Sequence, residues 1–274
     1  MKKRIIATLT LFTLFLTACG DTTNETNEDT TQENDEESLR VAVVESPMTD
    51  VVEIAQESLA EEDIELEIVE MGDYIQPNEA LVNHEVDATF SQHVPFMKQF
   101  NENSEANLTD VAPIYYANFG LYAEDYDQIE DLPSDISIGI ANDPSNVDRS
   151  LRLLASHDLI ELNEIDGDEY SLEDIQEDSH EYTFEDAEIS ALSRLYDDVD
   201  SVIMNPTHAS HLDLTPADDA LITEKEDNKF AITLVTREDN ADSDLIQKLV
   251  EAMTNEEVRE FLNNREGGAS IPTF

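Results

Sequence analysis

Regular patterning of apolar and polar positions begins at Leu39. Residues 39–44, Leu-Arg-Val-Ala-Val-Val, form a short apolar run that reads as a buried strand. Thr49 or Asp50 is placed to cap a helix whose apolar positions are Val51, Val52, Ile54, Ala55 and Leu59. Ile64, Leu66 and Ile68 then alternate with acids, the period of a strand. Pro77 begins a second helix through Ala80 and Leu81, and residues 86–90 read as a third strand. The β-α-β-α-β order predicts a mostly parallel sheet with helices on its faces.

The pattern then restarts. Residues 118–122 make a strand, Asp131-Leu132-Pro133 turns the chain, and Ile136, Ile138 and Ile140 alternate as another strand. A helix follows from Pro144 with Val147, Leu151, Leu154 and Ala155 on one face; residues 186–196 read as helix and 199–204 as strand. Residues 230–236 are a strand, and helices over 245–253 and 256–263 close the chain. Two α/β units with a returning terminal segment predict two lobes around a cleft: 39–117 with 234–274, and 118–233.

The first 38 residues follow other rules. Lys2, Lys3 and Arg4 precede an apolar run over 5–16, and Leu16-Thr17-Ala18-Cys19-Gly20 follows. A basic start, a short apolar core and small residues before a cut predict a signal peptide over 1–18. The run falls short of the ~20 residues of a membrane-spanning helix. Leu-Thr-Ala-Cys resembles a bacterial lipobox, and Cys19 is the only cysteine, so a lipid anchor at Cys19 is expected rather than a disulfide. Residues 20–38 hold no basic and no large apolar side chain, a composition that remains a flexible tether.

Charge narrows the partners. Sixty-five acidic residues face 14 basic ones, for a net charge of −51. Such a surface repels nucleic acid and anionic headgroups. Pervasive acidity on a periodically patterned body reads as adaptation to a saline habitat, where mobile ions screen self-repulsion.

Candidate chemistry concentrates at helix starts. In Ile138-Gly139-Ile140-Ala141-Asn142-Asp143-Pro144-Ser145-Asn146-Val147-Asp148-Arg149 a strand runs into a Pro-initiated helix. The unpaired N–H groups of its first turn suit an anion, and Arg149 lies about one turn in, within reach of the same anion. An ordinary capped helix with a surface arginine explains the same residues, and the two readings stand side by side. His208 and His211 lie at helical i, i+3 spacing with Asp213 nearby. An exposed helix surface is the expectation there, a metal site the alternative, and no metal or cofactor is expected. His93 has no nucleophile motif beside it.

A longer constellation carries a resemblance. Asp73-Tyr74-Ile75-Gln76-Pro77-Asn78-Glu79-Ala80-Leu81, Gln92-His93-Val94-Pro95-Phe96 and Asn142 through Leu151 resemble motifs of the NlpA family of methionine-binding lipoproteins. Val202-Ile203-Met204-Asn205, Ala209-Ser210, Leu214-Thr215-Pro216-Ala217 and residues 234–240 are similar in turn, in the same order. The resemblance implies a type II periplasmic-binding-protein-like fold, closing on a free amino acid by hinge motion. It implies a monomeric, lipid-anchored, extracytoplasmic receptor that serves a membrane permease of an ABC importer and is not an enzyme.

Carried over residue by residue, Arg149 matches the arginine that grips the ligand carboxylate, and Asn205 an asparagine on the ligand's backbone polar groups. Asn146 shares the helix-start motif. Tyr74, His93 and Phe96 match the wall around the ligand side chain, and Tyr116 the cross-over region. The family's phenylalanine two residues before the histidine is Ser91 here, and its tyrosine at position 96 is Phe96. Phe90 faces the other side of the strand and does not replace the missing ring. Methionine is therefore the expected ligand, with a larger or more polar amino acid or a short peptide as alternatives. An exported enzyme on an amino-acid derivative using His93, or a metal-capturing lipoprotein using His93, His208 and His211, are the other classes.

Overall fold

The computed structural model describes residues 37–167, 169–176, 181–225 and 228–274. The signal, lipobox and nearly all of the tether lie outside them. Two tether positions do not: Glu37 and Ser38 open the first strand.

The chain forms β1 (Glu37–Val43), α1 (Met48–Ala60), β2 (Ile64–Glu70), α2 (Gln76–Val82), β3 (Ala88–His93), α3 (Val94–Ser104) and β4 (Leu108–Tyr116). It continues with β5 (Gly120–Tyr122), β6 (Ser137–Ala141), α4 (Pro144–Ser156), β7 (Thr183–Ala187), α5 (Leu192–Leu195), β8 (Ser201–Met204), α6 (Pro206–Ser210) and β9 (Ile222–Thr223). It ends with β10 (Ala231–Arg237), α7 (Asp244–Met253), α8 (Glu256–Asn263) and β11 (Ile271–Pro272).

These strands make two sheets, ordered β11-β4-β10-β3-β1-β2 and β7-β6-β8-β5-β9. Setting β11 aside, the two orders are equivalent. In each, the first strand lies between the second and third, and a strand from outside the run is inserted next to the third. Pairing is parallel among β1, β2 and β3 and among β6, β7 and β8. It is antiparallel wherever β10, β5 or β11 joins. The expected parallel character thus belongs to the βαβαβ units, and the inserted strands make both sheets mixed. The expected lobe boundary at 234 falls inside β10, which pairs with β4 from Ala231 to Arg237.

Strand alternation explains the layers. Val41, Val43 and Leu234 pack with Val51, Ile246, Leu249, Val258 and Leu262, so α1, α7 and α8 cover one face of the first sheet. Ala42 and Val235 point the other way, onto Leu81 of α2 and Met97 of α3. In the second sheet Ile138, Ile140 and Ile203 meet Leu151 and Leu154 of α4, whereas Val202 and Met204 meet Leu192 of α5 and Ala209 of α6. Each of these valine, leucine, isoleucine and methionine side chains contributes about 1.5–3 kcal/mol on burial, the alanines less.

Three local expectations need correction. α1 begins at Met48 after Pro47 with no side-chain cap, so neither Thr49 nor Asp50 caps it. The third strand runs to His93, later than 86–90. Residues 186–196 are helical only in part, because β7 pairing with β6 claims Thr183–Ala187 first.

Candidate functional site

Parallel strands aim their carboxyl ends at a common edge, where the following helices begin. β3, β6 and β8 all lead into helices at one cavity, and α1, which follows β1, supplies Met48. Met48, Tyr74, Ser91, His93, Phe96 and Tyr115 line it from the first sheet's elements, and Phe119, Asn146, Arg149, Asn205 and Thr207 from the second's.

The helix starts are built by capping. Asp143 caps α4, its Oδ1 accepting from Asn146 N at 3.0 Å, while its Oδ2 accepts from Asn146 Nδ2 at 2.9 Å. This leaves Asn146 Oδ1 facing His93 Nε2, 3.1 Å away. His93 itself caps α3: its Nδ1 accepts the Phe96 N–H at 3.3 Å. An acceptor at Nδ1 places the proton on Nε2, which donates to Asn146. Burial first, then the Arg149 charge, lowers the His93 pKa to about 4, so the ring is neutral at ordinary pH. Asn205 caps α6 with Oδ1, which accepts from His208 N at 2.8 Å.

Arg149 is the largest fully buried side chain among the described residues. Its Nε donates to both carboxylate oxygens of Glu224, at 3.1 and 2.9 Å, and Nη2 donates to Ala117 O at 2.6 Å and to Glu224. The guanidinium carbon lies 3.7 Å from the Phe119 ring centroid and 4.8 Å from that of Phe230. The Nε–Nη2 edge is therefore occupied from within the protein. Nη1 makes none of these hydrogen bonds. The bidentate fork expected for an anion is spent on Glu224, a partner that no local pattern announces.

Seven of the eight residues singled out from sequence line the cavity: Tyr74, Ser91, His93, Phe96, Asn146, Arg149 and Asn205. Tyr116 does not. Its hydroxyl donates to Lys225 O at 3.0 Å, and the neighbouring Tyr115 takes the place on the wall. Ser91 Oγ lies 3.0 Å from Thr89 Oγ1. Phe90 belongs to the core of the first sheet, edge-on to Tyr115, as strand alternation requires.

The histidine pair also departs from expectation. His208 is 1% exposed and packs edge-on to Tyr74, so it does not belong to an exposed helix surface. The carboxylate nearest the pair is Glu45 rather than Asp213, with Oε2 3.2 Å from His211 Nε2. Glu45 Oε1 accepts from the Tyr74 hydroxyl at 2.9 Å. His93 takes no part in this cluster.

The chain matches the family model described as NlpA lipoprotein over residues 39–274. The D-methionine-binding lipoprotein MetQ of Salmonella typhimurium is 31% identical over 242 residues, covering 87% of this chain and 89% of that one. Among solved structures, lipoprotein Tp32 from Treponema pallidum superposes with a TM-score of 0.83 at 31% identity, over 87% of this chain and all of that one. A nutrient binding protein from Burkholderia cenocepacia bound to methionine gives 0.82 at 28% identity, over 86% of this chain and all of that one. A match spanning both sheets and every element around the cavity makes this chain a member of the NlpA lipoprotein family.

Proposed function

We propose that the protein is a lipid-anchored extracytoplasmic receptor that holds a zwitterionic amino acid, methionine first, for an ABC importer. The observation that carries this reading is the composition of the one cavity on which the helix starts of both sheets converge. First-turn residues of three helices line it: Met48 of α1, Phe96 of α3 and Asn146 of α4. The positive ends of their dipoles favour a carboxylate. Arg149 adds little net charge, because Glu224 pairs with it, and a ligand without net charge fits that balance. Nη1 of Arg149 and Nδ2 of Asn205 are polar groups left for the ligand's backbone end. Tyr74, Phe96, Tyr115 and Phe119 offer an apolar wall for its side chain.

Binding is favoured over catalysis at His93, since both ring nitrogens are engaged in hydrogen bonds that hold helix starts. The relatives named for methionine binding support the ligand class, and the lipobox at Cys19 supports the anchor. The equivalent sheets support two lobes, 37–117 with 231–274 and 118–225, that close by hinge motion.

Calorimetry of the purified protein in molar salt, against a panel of L- and D-amino acids and dipeptides, tests the ligand. One site with methionine among the tightest guests is expected, and no heat from any amino acid or dipeptide would sink the reading. Detergent partitioning tests the anchor: Cys19→Ser should leave the membrane fraction, and unchanged recovery there rejects lipidation.

A further inference from the structure

We propose that Glu45, His208 and His211 form a site for a divalent transition-metal ion of the zinc class, bridging the two halves of the molecule beside the cavity. Glu45 follows β1 of the first sheet, whereas His208 and His211 lie on and just after α6, behind β8 of the second. One ligand atom from each residue lies within 4.8 Å of the other two. Zinc bonds to nitrogen and oxygen are ~2.0–2.2 Å, so two donors on one tetrahedral ion sit roughly 3–3.5 Å apart. Glu45 Oε2 and His211 Nε2 already have that spacing at 3.2 Å, and Glu45 Oε1 to His208 Nδ1 is 3.8 Å.

Two further observations point to an occupant. His208 is almost fully buried, yet neither ring nitrogen makes a hydrogen bond among the described residues. A buried imidazole with both nitrogens orphaned is rare and calls for a missing partner. The Tyr74 hydroxyl meanwhile holds Glu45 by Oε1 and leaves Oε2 toward His211, the outer-shell support that orients a ligating carboxylate. Two imidazoles and one carboxylate suit zinc, nickel or copper and not the hard, oxygen-seeking magnesium ion. Three protein donors also leave a coordination position for water.

The site does not depend on what fills the neighbouring cavity. Its test is a titration of the full chain in detergent with Zn²⁺, and separately with Mg²⁺, read by calorimetry and by melting temperature. One equivalent of Zn²⁺ should bind and raise the melting temperature, with Mg²⁺ at least tenfold weaker. His211→Ala changes an exposed side chain and leaves the fold intact; it should weaken Zn²⁺ at least tenfold, as should Glu45→Gln. His84→Ala removes an exposed imidazole outside the cluster and should leave Zn²⁺ binding unchanged. Zn²⁺ held no more tightly than Mg²⁺ overturns the proposal, because binding is then diffuse on the acidic surface. Zn²⁺ held by His211→Ala as tightly as by the wild type overturns it equally.

Discussion

The Nε2–H of His93, at the end of β3, donates to Oδ1 of Asn146, in the first turn of α4, 3.1 Å away. This hydrogen bond joins elements of the two sheets across the cavity; it is the other ring nitrogen that requires a neutral imidazole, since Nδ1 must accept from Phe96 N. A protonated His93 would set its Nδ1–H against that N–H and break the α3 cap.

Acid should therefore weaken the fold through this residue. The folded pKa of about 4 lies below the ordinary 6.5, so between these values the unfolded chain binds more protons. His93 then contributes stability that is complete above pH 6.5 and is lost as pH falls toward 4, on the order of 3 kcal/mol at most. Urea unfolding at pH 7 and pH 4.5 should show a larger acid loss for the wild type than for His93→Gln. Equal losses in both proteins would mean that His93 titrates normally.

Arg149→Met should destabilise the protein by about 3–5 kcal/mol, because it strands the Glu224 carboxylate in a buried site. Adding Glu224→Gln to that variant should recover part of the loss, since the orphaned charge is then gone. A double-mutant cycle by denaturant unfolding measures the coupling. Single-variant losses below 1 kcal/mol, simply additive in the double variant, would show that the pair is not buried in solution.

Ser91 sits on the cavity wall at 2% exposure, and a phenyl ring there adds apolar contact worth about 1.5–3 kcal/mol when buried. Ser91→Phe should shift preference toward methionine and away from polar amino acids in competition calorimetry. If no guest's affinity changes, position 91 does not govern selectivity.

Sixty-five acidic residues against 14 basic ones make the folded chain repel itself in dilute buffer. The Debye length falls from ~30 Å at 0.01 M salt to ~3 Å at 1 M, so melting temperature should climb over that range. A flat or falling curve in NaCl and KCl would remove the case for a saline habitat.

Much of the architecture was legible from periodicity. Ile136, Ile138 and Ile140 face one core because a strand alternates, and Asn-Asp-Pro-Ser starts α4 because Asp143 caps it and proline needs no donor there. β4 has no counterpart among the elements read from periodicity, and it holds Pro113, a residue that normally argues against a central strand. In the fold Pro113 stands opposite Thr233, beside a shift of the β4–β10 register between Ile232 and Thr233. Motifs likewise marked seven of the cavity residues, all of them close to helix starts that local chemistry defines.

Other features depend on pairings that only the closed topology makes. Glu224 meets Arg149 across 75 residues of chain, and Glu45 meets His211 across 166. Tyr115 rather than Tyr116 reaches the cavity because the path of β4 decides which of two adjacent tyrosines faces it. A sequence specifies through short-range periodicity which side of an element is apolar. Which charged group stands opposite a given arginine or histidine is fixed only when strands from distant segments lie side by side, and at this cavity that opposition sets the charge balance.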